Sequence, residues 1–185
     1  MIDVNKFVLK RRIKKILKKS KREKEYLNLK EIKSVLLFFD TKDYSDASYF
    51  IKQLKKMGKQ VKIYAYQDKR DRNNYSKTVH NVVTEENMNI WKSDSLKALV
   101  NSLGSGNPYD LAIDLTPDEN VLLQYLLVSA DARLKAGFCK TNLPVYDMVI
   151  SFASEEELNE IITARALSRQ LIHYLTTISS NTRTS

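Results

Sequence analysis

Residues 33–39 read KSVLLFF and stop at Asp40, and this short apolar run constrains the fold more than any other feature. It carries no alternation that would leave one side wet. Its β-branched and aromatic content suits a strand covered on both faces, the situation of a parallel sheet. Asp43-Tyr44-Ser45-Asp46 then read as a turn with capping residues. Phe50, Ile51, Leu54 and Met57 follow at helical spacing, and Gly58 predicts a left-handed helix stop. Residues 60–66, QVKIYAY, predict a second strand. Strand, helix, glycine and strand in this order make a βαβ unit with a right-handed crossover.

The alternation continues. Residues 78–84 predict a third strand. Ser93 opens a helix through Leu103 whose inner face carries Leu96, Leu99 and Val100, and Gly104-Ser105-Gly106-Asn107-Pro108 stops it. Residues 109–115, YDLAIDL, predict a further strand. Pro117, Asp118 and Glu119 predict the first turn of a helix whose body, 120–129, is almost wholly apolar. Residues 133–138 and 144–152 each predict a strand. A long helix runs from Ser154 to about residue 178, with Ser154 and Glu157 in capping-box spacing. These elements imply an α/β protein, a Rossmann-like three-layer sandwich with a mostly parallel sheet of five or six strands. The organisation expected is a basic helical extension over 1–30, one domain over 31–178, and a polar tail over 179–185.

Charge is distributed unevenly. The chain has a formal net charge of +9. Residues 1–30 hold twelve Lys or Arg against three acids, so the remaining residues sum to zero. Lys10, Arg11, Arg12, Lys14, Lys15, Lys18, Lys19, Lys21 and Arg22 are the candidate anion- or nucleic-acid-binding residues. Like charges spaced i,i+4, such as Lys14 and Lys18, repel, so the helix needs a surface to lie on. Phe7, Ile13, Ile16 and Leu17 form one possible apolar stripe, with Leu9 and Ile13 as a second. The surface is the domain itself, a second subunit, an anionic membrane or RNA. A nucleic-acid contact would rest on phosphate neutralisation and depend steeply on salt. A membrane contact has only Phe7 as an aromatic anchor.

Ligands of open parallel sheets bind beyond the carboxyl ends of the strands. That edge carries Asp40 and Asp43 after the first strand, Asp114 and Thr116 after a central one, and Ser151 after the last. Asp40 and Asp114 on neighbouring strands could hold a divalent cation or act as an acid–base pair. The plainer alternative is that they cap following helices and face water. Only four glycines are present, and Gly104 and Gly106 end a helix, which argues against a dinucleotide fingerprint and a phosphate loop. His80, His173 and Cys139 are too scattered for a zinc site. No catalytic residue, cofactor or metal is assigned. A single cysteine precludes an intrachain disulfide and fits a reducing compartment. No apolar run approaches membrane-spanning length. The expected location is the cytoplasm.

The segments FFDTKDYSDASYFIKQLKKMGKQVKIYAY, MNIWKSDSLKALV, YDLAIDLT, LLQYLLVSADARLKAGF and YDMVIS resemble a family of uncharacterised proteins from Bacteroidota. That resemblance implies a basic N-terminal segment ahead of an α/β domain and brings no activity. More distantly, YDLAIDLTPDENVLLQYLLVSADARLKAGF is similar to the N-terminal half of heptosyltransferase-type glycosyltransferases. This implies an acceptor-facing loop after Asp114, but those enzymes bind the nucleotide sugar with a second Rossmann-like domain, for which 185 residues leave no room.

The reading that follows is a non-catalytic α/β protein docking through its basic helix on an anionic partner, RNA or the ribosome ahead of a membrane surface. The alternatives are membrane association through that helix, and a small ligand-binding protein or enzyme using the Asp40/Asp114 edge. A further possibility is a homodimer whose helix packs on its mate.

Overall fold

The computed structural model describes residues 4–71, 73, 75, 79–88, 93–104, 106–138, 143–150 and 164–178. The elements are α1 (Val4–Lys19), β1 (Ser34–Asp40), α2 (Tyr44–Lys56), β2 (Gln60–Gln67), β3 (Asn81–Thr84), α3 (Ser93–Ser102), β4 (Tyr109–Asp114), α4 (Val121–Ser129), β5 (Ala132–Phe138), β6 (Met148–Ile150) and α5 (Ala164–Thr177). Short 3₁₀ turns over Thr41–Asp43 and Glu85–Met88 follow β1 and β3.

Among the described residues six strands form one parallel sheet in the order β3-β2-β1-β4-β5-β6. This is a doubly wound, Rossmann-like α/β architecture. The chain steps outward from β1 to β2 in one direction and from β4 to β5 in the other. Right-handed crossovers therefore send α2 and α4 to opposite faces. One face packs Val35, Leu37, Phe39, Leu111 and Ile113 against α2 and α5. The other packs Leu36, Phe38, Tyr64 and Ala112 against α1, α3 and α4. Residues 35–39 are all fully buried, as a run apolar on both sides requires.

Local signals are mostly realised. Gly58 has φ +75°, its N–H donates to Lys55 O and that of Lys59 to Leu54 O, completing a Schellman stop for α2. α4 begins later than Pro117 suggests. Asn120 is the cap, its side-chain oxygen accepting the N–H groups of Leu122 and Leu123 at 3.1 Å. That cap supplies two orphan N–H groups with an acceptor, which Pro117 cannot do. The Ser154/Glu157 capping box, the polar tail and Ser151 lie outside the described residues.

The basic segment is helical only through Lys19. Residues 20–33 then cross the amino ends of the strands as a strap. Arg22 binds both oxygens of Asp147 at 2.7 Å and the Arg133 carbonyl at 2.9 Å. Arg133 in turn holds Glu25 and Asp110, and Asp110 accepts the N–H groups of Lys33 and Ser34. Farther along the strap, Asn28 donates to the Thr176 and Ile178 carbonyls at the end of α5.

Candidate functional site

α1 lies on the domain through its second candidate stripe, Leu9 and Ile13, together with the first stripe's Ile16 and Leu17 and without Phe7. Leu9 and Ile13 are fully buried against α4, and Ile16 and Leu17 flank them. Phe7 is 55% exposed instead. Helical geometry gives the reason. At about 3.6 residues per turn, Phe7 sits on the side opposite Leu9 and Ile13. Val4, Arg11, Lys14, Lys15 and Lys18 share that outer side and are exposed.

The candidate cations divide by their partners. Lys10 pairs with Glu119 at 3.0 Å, and Arg22 is held by Asp147, whose carboxylate is only 4% exposed. Both are committed to the domain. Arg11, Lys14, Lys15, Lys18, Lys19 and Lys21 are exposed, whereas Arg12 is half-buried. Among the described residues none of these seven has an acidic partner within ion-pair distance. The Arg11 guanidinium lies 5.9 Å from the centre of the Phe7 ring. The result is a ridge of cations on a helix fixed from behind, beside a domain whose own charges balance.

The second candidate region is the crevice between β1 and β4. The two halves of the sheet wind away from this gap, so the carboxyl ends of these strands open into a cleft. A cavity of about 170 Å³ lies there. Asp40, Lys42, Thr116 and Asp118 line it, with Tyr66 and Met88 on one side and Lys6 of α1 on another. Asp40 caps the 3₁₀ turn by accepting the Lys42 N–H at 3.0 Å. Burial pushes its carboxyl above the ordinary range, opposed by Lys42. Asp43 is raised for the same reason. The Lys42 ammonium, 2.5 Å from Asp118, is held charged by that contact.

Asp114 is used differently. It is 1% exposed and does not line the cavity. Its Oδ1 accepts the Thr116 N–H and hydroxyl at 2.9 and 2.5 Å, and its Oδ2 accepts the Tyr146 hydroxyl at 2.7 Å. The Tyr146 ring lies flat on Gly137, where a Cβ would fall 2.3 Å from Cε1. The structure thus brings Asp40 and Thr116 to one crevice and ties Asp114 into an internal strut. Sequence reasoning missed Tyr146, Gly137 and Lys6. Gly137, the one glycine inside a predicted strand, was the available signal, since such glycines mark close approach. Among the described residues no group of His, Cys, Asp or Glu could hold a metal ion, and no helix is long and apolar enough to cross a membrane.

Comparison with known proteins adds a family and no activity. No curated protein and no solved structure matches the chain. One family model, described as Family of unknown function (DUF6913), matches residues 5–178. That span takes in nearly all of α1 together with the sheet and α5.

Proposed function

The chain belongs to this family of unknown function, and from its own geometry we propose that it docks on RNA through the solvent side of α1. The observation that carries the reading is the exposed row Arg11, Lys14, Lys15 and Lys18, without acidic partners among the described residues, on a helix anchored by Leu9 and Ile13. Such a row neutralises phosphates without reading sequence. Ribosomal RNA is the most abundant target of that chemistry, and the lone cysteine accords with a cytoplasmic encounter. The membrane alternative has less support. An amphipathic helix enters a bilayer by its apolar face, and here that face is packed on α4.

The test is filter binding of a mixed-sequence RNA to the wild type and to the Arg11→Gln, Lys14→Gln, Lys15→Gln, Lys18→Gln variant at low salt. All four sites are exposed, so the variant should melt like the wild type and lose RNA binding. Retained binding by the folded variant refutes the reading.

A second reading rests on the crevice, where Asp40 and Thr116 meet in a cavity of about 170 Å³. It would take a small polar ligand with donors for Asp40. Loss of ligand-induced thermal stabilisation in Asp40→Asn, tested with amino alcohols, would support it. An unchanged response would not.

A further inference from the structure

Phe7 is the one aromatic residue of α1, and it stands in line with the cations instead of with the core. Lone exposed apolar residues are ordinary and need no explanation. The setting of this one is less ordinary. Arg11 lies one turn further along the same side, its guanidinium 5.9 Å from the ring centre. Lys14 and Lys18 continue the line, ending about 16 Å from Phe7 at the rise of an α-helix. The helix beneath is held by Leu9 and Ile13, so ring and cations are presented by one rigid element.

We propose that Phe7 and Arg11 form a stacking site for one unpaired nucleobase of the docked RNA, with the backbone running along Lys14, Lys15 and Lys18. This rests on the docking reading above and adds to it a preference for single-stranded over duplex RNA. An aromatic ring beside a guanidinium offers a face for a base, while a cationic groove or ridge tracks the phosphates. Stacking tolerates any base, because each has a π-face. A duplex keeps those faces within its own stack and presents only backbone and groove edges. Phe7 therefore contributes nothing to a duplex, whereas the cations serve both forms. A bilayer would also accept Phe7 together with Val4, but it would find no more of the helix's apolar side, which the domain covers.

The experiment measures fluorescence anisotropy of a labelled oligouridylate and of a blunt RNA duplex of equal length. The proteins are the wild type, Phe7→Leu, Phe7→Trp and the four-site glutamine variant, each shown to melt normally. Phe7→Leu should weaken oligouridylate binding on the order of tenfold, with its salt dependence and its duplex binding unchanged. Phe7→Trp should bind the single strand at least as well as the wild type. If Phe7→Leu binds the oligouridylate like the wild type, or loses strand and duplex equally, the stacking site is refuted while docking stands. If the wild type binds neither RNA, the docking reading itself fails. Vesicles containing phosphatidylserine are run alongside. Phe7-dependent binding to them without Phe7-dependent RNA binding also overturns the proposal.

Discussion

The Gly137→Ala substitution tests whether the carboxyl end of β4 is organised as described. Gly137 lies on β5, and an added Cβ would stand 2.3, 2.7 and 2.8 Å from Cε1, Cζ and Cδ1 of Tyr146. Ordinary contact needs about 3.5 Å, so the ring must retreat by about 1 Å. Tyr146 is 6% exposed and has little free room. Its hydroxyl donates to Asp114 Oδ2 at 2.7 Å, and a retreat of that size breaks the bond. Overpacking costs roughly 1–3 kcal/mol. Leaving a buried acceptor unsatisfied costs roughly another 1–3 kcal/mol. The expected loss is therefore about 3–4 kcal/mol, or roughly 10 °C in melting temperature for a domain of this size. Urea denaturation of Gly137→Ala, Tyr146→Phe and the double variant measures it. Tyr146→Phe should be costly alone and nearly free in the Gly137→Ala background, because the bond it removes is already lost. A loss below about 1 kcal/mol for Gly137→Ala, or full additivity in the double variant, would refute the reasoning.

Three further outcomes follow from burial and pairing. Leu9→Ala should destabilise the whole domain by roughly 2–5 kcal/mol in a single cooperative denaturation, since Leu9 is fully buried in the α4-side core. A separate early transition for α1 would contradict this. Arg22→Ala should cost about 2 kcal/mol because it removes the bidentate partner of the buried Asp147 carboxylate and leaves it Lys24 at 3.8 Å and the Lys135 N–H, whereas Lys18→Ala should stay within about 0.5 kcal/mol, as thermal melts can show. Lys135 is 5% exposed, and burial, with Arg22 nearby, lowers its pKa to about 8. An unfolded lysine titrates near ~10.4. Between these values the unfolded chain binds the proton that the folded chain has released, so this site makes stability rise with pH, and its penalty is complete below pH 8. Lys135→Met also loses the donor to the Val128 carbonyl at 3.0 Å, so the pH dependence carries the test: the wild type should gain on the variant by roughly 2–3 kcal/mol as pH rises from 8 toward 10. A constant difference across that range would count against the assignment.

Much of the fold is legible in local sequence because its causes are local. The unbroken run ending at Asp40 reports burial on both faces, and Gly58 reports a left-handed stop through the one residue type that adopts it freely. The strand order is not local. It depends on the chain returning from β3 to lie beside β1, which no window of residues contains. The face that α1 buries was open between two stripes, and the apolar surface of α4 takes Leu9 and Ile13 with Ile16 and Leu17 beside them and leaves Phe7 outside. The cations that are truly free could not be sorted from those that are paired. Lys10 and Arg22 meet Glu119 and Asp147 at separations of 109 and 125 residues. Asp114 looks like an acid at a sheet edge facing water, yet Tyr146, thirty-two residues on, supplies the donor that lets it be buried. Gly137 supplies the room for that ring.

The docking claim is tested most directly by the salt dependence of RNA affinity. If Lys14, Lys15 and Lys18 each neutralise one phosphate of a single strand, log K should fall against log salt with a slope of about −2. Each lysine reversion from the four-site glutamine variant should then steepen the line by about 0.7. A wild-type affinity that is flat in salt, or a slope that the four-site variant leaves unchanged, would contradict the account.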